Sequence, residues 1–397
     1  MYPLKQISNY FMLGCLALLL IGCGGGGGGG GGSQSSRFDP GTGFDGFVFS
    51  IAIATDGSGD IYVGGAFANF DGTEINRIAR LNNDGTLDTG FDPGAGIMRY
   101  VSDVTPTTDG SGDIYIGGNF TDFIKRLNSD GSNDAGFITG TSANDEVLSI
   151  ALATDGSGDI YVGGNFTLYR GNARDYITRI NNDGSNDAGF VTGTGFNAVV
   201  TSVALANDGS GDIYAGGPFS LYRGNARDRI VRVNSSGSND AGFDPGTGFN
   251  FAVFSIVPAA DGSGDLYVGG RFTDYDGTTR NRIVRLNSDG SHDAGFDSGL
   301  GFNDVVLSIA LATDGSGDIY VGGDFTDYHG TARRRIARLN SDGSLDAGFD
   351  PGTGFDQAVW SIAPVSGGSI YVGGGFASYR SASANGIIRL DSTGTPN

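Results

Sequence analysis

Beyond residue 36 the chain alternates short apolar runs with clusters of Gly, Asp, Ser and Asn, and lacks the i, i+3, i+4 spacing of a helix face. Residues 147–191 show the pattern well. Apolar runs fall at 147–153, 160–166, 176–181 and 188–191. Asp155-Gly156-Ser157-Gly158-Asp159 separates the first two, and Asn182-Asp183-Gly184-Ser185 the last two. Asp-Gly and Asn-Gly steps favour the φ > 0 conformations of tight turns, so the pattern predicts four strands in hairpin succession. The first run is apolar at nearly every position, as expected of an inner strand covered on both faces.

This unit recurs. Asp-Gly-Ser-Gly-Asp-Ile-Tyr-Val-Gly-Gly begins at Asp56 and returns, with small changes, from Asp109, Asp155, Asp208, Asp261 and Asp314; a degenerate seventh copy starts at Ser366. Its tyrosines (Tyr62, Tyr115, Tyr161, Tyr214, Tyr267, Tyr320 and Tyr371) are spaced 53, 46, 53, 53, 53 and 51 residues apart. A period near 50 made of short β-rich runs predicts one four-stranded propeller blade per copy. The fourth run carries a phenylalanine in six copies (Phe91, Phe137, Phe190, Phe243, Phe296 and Phe349), and the seventh copy stops short of it. Phe38-Asp39-Pro40-Gly41-Thr42-Gly43-Phe44, ahead of the first copy, repeats residues 349–355. The expected fold is therefore all-β: a seven-bladed propeller over residues 37–397, its last blade completed by the N-terminal strand. Such a closed ring leaves only short edges.

Composition sharpens this picture. Of 397 residues, 73 are glycine, and the net charge is −20; Glu74 and Glu146 are the only glutamates among 44 acids. Asp and Gly are turn residues rather than helix formers, which excludes an all-helical fold. The acidity argues against electrostatic binding of nucleic acid by the whole molecule. The 38% hydrophobic content is enough for a real core.

Residues 1–22 read as a lipoprotein signal peptide, with Lys5 before an apolar stretch (residues 11–21) too short to span a bilayer. The stretch ends in Leu20-Ile21-Gly22-Cys23, which resembles a bacterial lipobox, and Cys23 would carry the lipid that inserts in the bilayer. Residues 23–36 then form a Gly/Ser tether, including nine consecutive glycines. Gly24 is not the aspartate of an inner-membrane retention signal, so the expected address is the outer membrane, facing the periplasm or the cell surface. Cys15 lies in the removed segment, leaving one cysteine and no internal disulfide.

Comparison among the copies separates frame from variation. Serine recurs on the first run (Ser50, Ser102, Ser149, Ser202, Ser255, Ser308 and Ser361), and arginine on the third (Arg80, Arg126, Arg179, Arg232, Arg285, Arg338 and Arg389). Groups repeated in every blade predict a hydrogen-bond or ion-pair scaffold rather than a catalytic site. The residue after Gly-Gly varies instead: Ala66, Asn119, Asn165, Pro218, Arg271, Asp324 and Gly375. The loop between second and third runs is absent from the second copy. Elsewhere it contributes Arg170, Arg174, Arg223, Arg227, Arg229, Arg280, Arg282, Arg333, Arg334 and Arg335. In an up-and-down blade these loops share one face and the Asp-rich turns the other. The expectation is a polarised ring, with candidate ligand-binding residues among those arginines together with Asn119, Asn165, Arg271 and Asp324. No cofactor is expected, although Asp155, Asp159, Asp183 and Asp187 could cluster as hard oxygen ligands for a structural Ca²⁺. His292 and His329 read as solvated loop residues, and Trp360 as core.

The repeated Asp-Gly-Ser-Gly-Asp-Ile-Tyr-Val-Gly-Gly-x-Phe, Arg-Ile-x-Arg-Leu-Asn-x-Asp-Gly-Ser and Asp-x-Gly-Phe motifs resemble the bacterial delta-60 repeat β-propeller family, from residue 38 to residue 390. The resemblance implies a propeller on exported proteins and transfers no catalytic residues. Two function classes follow. One is an anchored, monomeric, non-catalytic binding or scaffold module whose arginine face takes an anionic glycan or protein. The other is a propeller lyase or hydrolase acting on charged polysaccharide, for which Glu146 and an Arg271/Asp324 pair are the only symmetry-breaking residues.

Overall fold

The computed structural model describes residues 37–95, 97–138 and 142–397. The expected signal peptide, the expected lipidation site Cys23 and the expected Gly/Ser tether lie outside the described residues.

Seven antiparallel sheets follow one another, each with an inner, a middle and an outer strand. In the first blade these are Phe47–Ile53, Ile61–Ala66 and Ile78–Leu81; in the last, Val359–Pro364, Ile370–Gly374 and Ile387–Leu390. The expected fourth strand is reduced. A single bridge ties the outer strand to the segment beyond the turn, as at Ile180↔Asn186. The phenylalanine that follows then turns inward, Phe190 meeting Tyr161 edge-on at 5.5 Å. This contact recurs at Tyr62–Phe91, Tyr115–Phe137, Tyr214–Phe243, Tyr267–Phe296 and Tyr320–Phe349. In the last blade Tyr371 receives Phe38 from the N-terminal segment, with centroids 5.1 Å apart. The chain start thus completes the last blade, by one buried ring rather than by a full strand.

Blade-to-blade packing explains the double glycine. A Cβ on Gly64 would lie 2.7 Å from Val101 Cγ1 of the next blade, and one on Gly373 would lie 2.5 Å from Val48 Cγ1 across the closure. The first glycine therefore admits the neighbour's inner strand at every interface, including the one that closes the ring.

The inner strand departs from expectation. Buried and half-buried residues mix along it: Val147 and Ile150 pack on Gly117 of the preceding blade, while Leu148 and Ser149 between them are half-buried. A bulge places the core-facing serine one residue after it: Ser50 pairs with Gly64 across the skipped Phe49. Serine Oγ then accepts the backbone N–H of the following blade, as from Val104 to Ser50 (3.1 Å) and from Ile51 to Ser361 (2.9 Å). In the second blade the equivalent of Ser50 is Asp103, paired with Gly117, and Ser102 occupies the bulge. Asp103 accepts from Ile150 N–H at 2.7 Å and from Ser50 Oγ at 3.3 Å.

Candidate functional site

The recurrent arginines form the repeated scaffold. Arg80 meets Asp56, Asp60 and Asp88 at 2.5, 2.8 and 3.4 Å while its guanidinium lies over the Tyr62 ring. The same knot is built on Arg126, Arg179, Arg232, Arg285 and Arg338. The acids expected to gather around calcium are thereby engaged: Asp155, Asp159 and Asp187 all converge on Arg179, and Asp183 caps its own turn by accepting from Ser185 N–H at 2.8 Å. Among the described residues no cluster of His, Cys, Asp or Glu is arranged to hold a metal. The Ser157 hydroxyl donates to Asp155 and, with Arg179, outweighs burial to hold that carboxyl down at about 2.

The opposite face is less uniformly basic than expected. Asp45, Asp71, Asp145, Asp276 and Asp304 share the connectors and hairpins there with the arginines. Several of the predicted arginines are occupied by the fold. Arg170 donates to Ile138 O at 3.2 Å and Arg223 to Val191 O at 2.7 Å. Arg229 pairs with Asp228, and Arg282 donates to the Arg271 and Phe272 carbonyls at 3.0 Å. Arg335 takes Asp324 at 3.3 Å, so the anticipated Arg271/Asp324 pair does not form. Arg174, Arg227, Arg280 and Arg333 each donate to the carbonyl just before them, and Arg280 also meets His292 Nδ1 at 3.3 Å. Arg271 and Arg334 are exposed.

The frame is broken most at the second and third blades. Every other blade carries a short hairpin between its middle and outer strands, such as Leu168–Tyr169 with Asn172–Ala173; among the described residues the second has none. A recess of about 770 Å³ opens there, lined by Arg77, Arg99, Asn119, Asp145, Met98 and Phe123 among others. At its inner edge Tyr100 pairs in register with Asn119. Glu146, at the corresponding position one blade on, bonds to Tyr100 and accepts from Ser102 Oγ at 3.4 Å. Asn165 Nδ2 donates to Asp145 Oδ2 at 2.9 Å, and Arg99 Nη1 to Asn119 Oδ1 at 3.4 Å. Asn119, Asn165 and Glu146 therefore come together with Arg99, Tyr100 and Ser102, which sequence reasoning did not single out as a site. Burial raises Glu146, and burial and then the Glu146 charge raise Tyr100. Asp103 is pushed up to about 6 by burial, against its hydrogen bonds from Ile150 and Ser50. Toward the ring centre Tyr100 abuts an aromatic group: Phe49 at 5.7 Å, with Trp360 5.0 Å from Phe49 and 5.1 Å from Phe47. Trp360 is thus half-buried at the centre rather than in a blade core.

The domain of unknown function (DUF5122) beta-propeller family matches seven segments, residues 57–91, 110–137, 155–190, 209–243, 262–296, 314–349 and 368–397. The chain belongs to this family. The first six DUF5122 segments run from the first turn to the closing phenylalanine, so Tyr100, Ser102, Asp103 and Glu146 all fall between matched segments. Among solved structures, the WD40 β-propeller domain of Doa1 is similar at 15% identity and a TM-score of 0.55, covering 87% of this chain and 97% of that one. That likeness speaks to the fold of the DUF5122 ring alone. No curated protein matches the sequence.

Proposed function

We propose that this protein is a non-catalytic binding module of the bacterial envelope, an exported lipoprotein of the delta-60 repeat kind, held in the outer membrane by acylated Cys23 and displayed on the glycine tether. The observation that carries the reading is the concentration of asymmetry in one place. Six knots repeat the same chemistry, whereas the second blade drops its hairpin and gathers Arg99, Tyr100, Asn119 and Glu146 beside a recess. A half-buried tyrosine next to amide, guanidinium and carboxylate groups suits a sugar ring, which stacks on an aromatic face while its hydroxyls bond in pairs to planar side chains. The ligand is accordingly a segment of an envelope or extracellular glycan, with any acidic substituent facing Arg77 and Arg99.

A glycan array probed with the full chain, followed by incubation of each bound species, tests the reading. Binding without turnover, lost in Tyr100→Ala and retained in Arg334→Ala, is the expected result. Turnover of a bound glycan, or binding indifferent to Tyr100, overturns it. Metabolic labelling with a fatty acid tests the anchor, and label should vanish in Cys23→Ser.

A further inference from the structure

We propose that the last blade binds an oxyanion (a carboxylate, sulfate or phosphate group) at Arg389, in the place that aspartates fill in the six other blades. The inference is independent of the glycan reading. The backbone frame is the same: Asn397 N–H donates to Arg389 O at 3.2 Å, as Asp88 does to Arg80 at 2.9 Å, and Val365 N–H to Ser369 O at 2.9 Å, as Ala54 does to Asp60. The guanidinium also holds its station, 5.5 Å from the Tyr371 centroid against 5.4 Å for Arg80 over Tyr62. What differs is its company. The turn here is Ser366-Gly367-Gly368 in place of Thr55-Asp56-Gly57-Ser58-Gly59, so the first aspartate has no counterpart. Ser369 stands where Asp60 does, and Asn397 where Asp88 does. Among the described residues no carboxylate lies within 4.0 Å of Arg389. Its polar contact is Asn83 Oδ1 at 3.4 Å, and its Nε is shut off from water without a partner.

A cation set against an aromatic ring and lacking the carboxylates that its six counterparts possess is a receptor for a planar or tetrahedral anion. Guanidinium N–H groups offer a fork that matches both shapes. The Ser369 hydroxyl, whose oxygen accepts from Asn397 Nδ2 at 3.1 Å, keeps its own proton to donate. Asn83 is exposed, so the position opens on the face of the Asp-rich turns.

Thermal melts of the full chain in detergent micelles test this, in sodium acetate, sulfate or phosphate against chloride at equal ionic strength. Because sulfate and phosphate stabilise proteins generally by exclusion, the quantity read is the difference from Arg389→Gln. The expected result is a saturable rise in Tm of a few degrees in the native chain and none beyond the general salt effect in the variant. The acetate arm separates carboxylate from tetrahedral selectivity. Ser369→Asp, which tethers a carboxylate at the same place, should raise Tm in chloride and abolish the anion response. Equal responses in the native chain and Arg389→Gln, or an undiminished response in Ser369→Asp, overturn the proposal.

Discussion

The two faces of this ring were built from the same repeat and have had different histories. On the turn face six blades keep one arginine among three aspartates and a tyrosine, with side chains 7–13% exposed at the arginine. On the hairpin face the corresponding positions run through Ala, Asn, Pro, Arg, Asp and Gly. The contrast follows from burial. A charge removed from water is costly without partners, so six blades keep the whole knot, and in the last the three acids are lost together while Arg389 stays on Tyr371. A residue at a loop edge meets water whatever it is, so it is free to differ.

The largest expected effect breaks the turn face. Arg338→Ala strands Asp314 and Asp318 beside a missing cation and should cost about 3–5 kcal/mol. Arg389→Ala, where no carboxylate is stranded, should cost under about 1 kcal/mol. Urea unfolding of both variants measures the gap, and equal losses would erase the distinction between the knots and the last blade. Next comes Phe38→Ala, which removes the ring closing on Tyr371 and should cost about 3 kcal/mol, close to Phe190→Ala in an interior blade. A negligible loss would mean that the closure does not depend on that contact.

The smallest effect is one of pH, and it sets the two kinds of carboxylate against each other. Asp155 and its equivalents lie at about 2 in the fold, so the stability they lend is present above the unfolded value near 4 and is lost as pH falls toward 2. Asp103 lies at about 6, so its stabilising protonated form is fully present below about 4 and is lost as pH rises through 6. Stability should therefore climb from pH 2 to 4 and sag by about 2 kcal/mol between 4 and 7. Asp103→Ser, which restores the residue found in the other blades, should shrink the sag to the part that Glu146 and Asp324, also raised by burial, contribute, and leave the acid limb. Melts across that range read both limbs.

Much of this was legible in residue spacing. The tyrosine period gave the blades, and the repeat of residues 349–355 ahead of the first copy gave the closure. The shorter interval before Tyr371 already encoded the loss of a knot's acid. The register of the inner strand was hidden, because Ser102 and Asp103 are adjacent and only the bulge decides which one faces the neighbouring blade. The fate of the hairpin arginines was hidden too. A guanidinium that bonds a backbone carbonyl, as Arg282 does at Phe272, leaves no complementary residue type in the sequence.

The Phe38–Tyr371 contact has a mechanical corollary. Tension applied through the chain ahead of residue 37 reaches the ring at that aromatic pair before it reaches any three-stranded sheet. A pull from that side would load the clasp in peel. The six other blades, packed face to face through glycine and valine and tied by serine-to-backbone hydrogen bonds, would stay sheltered behind it.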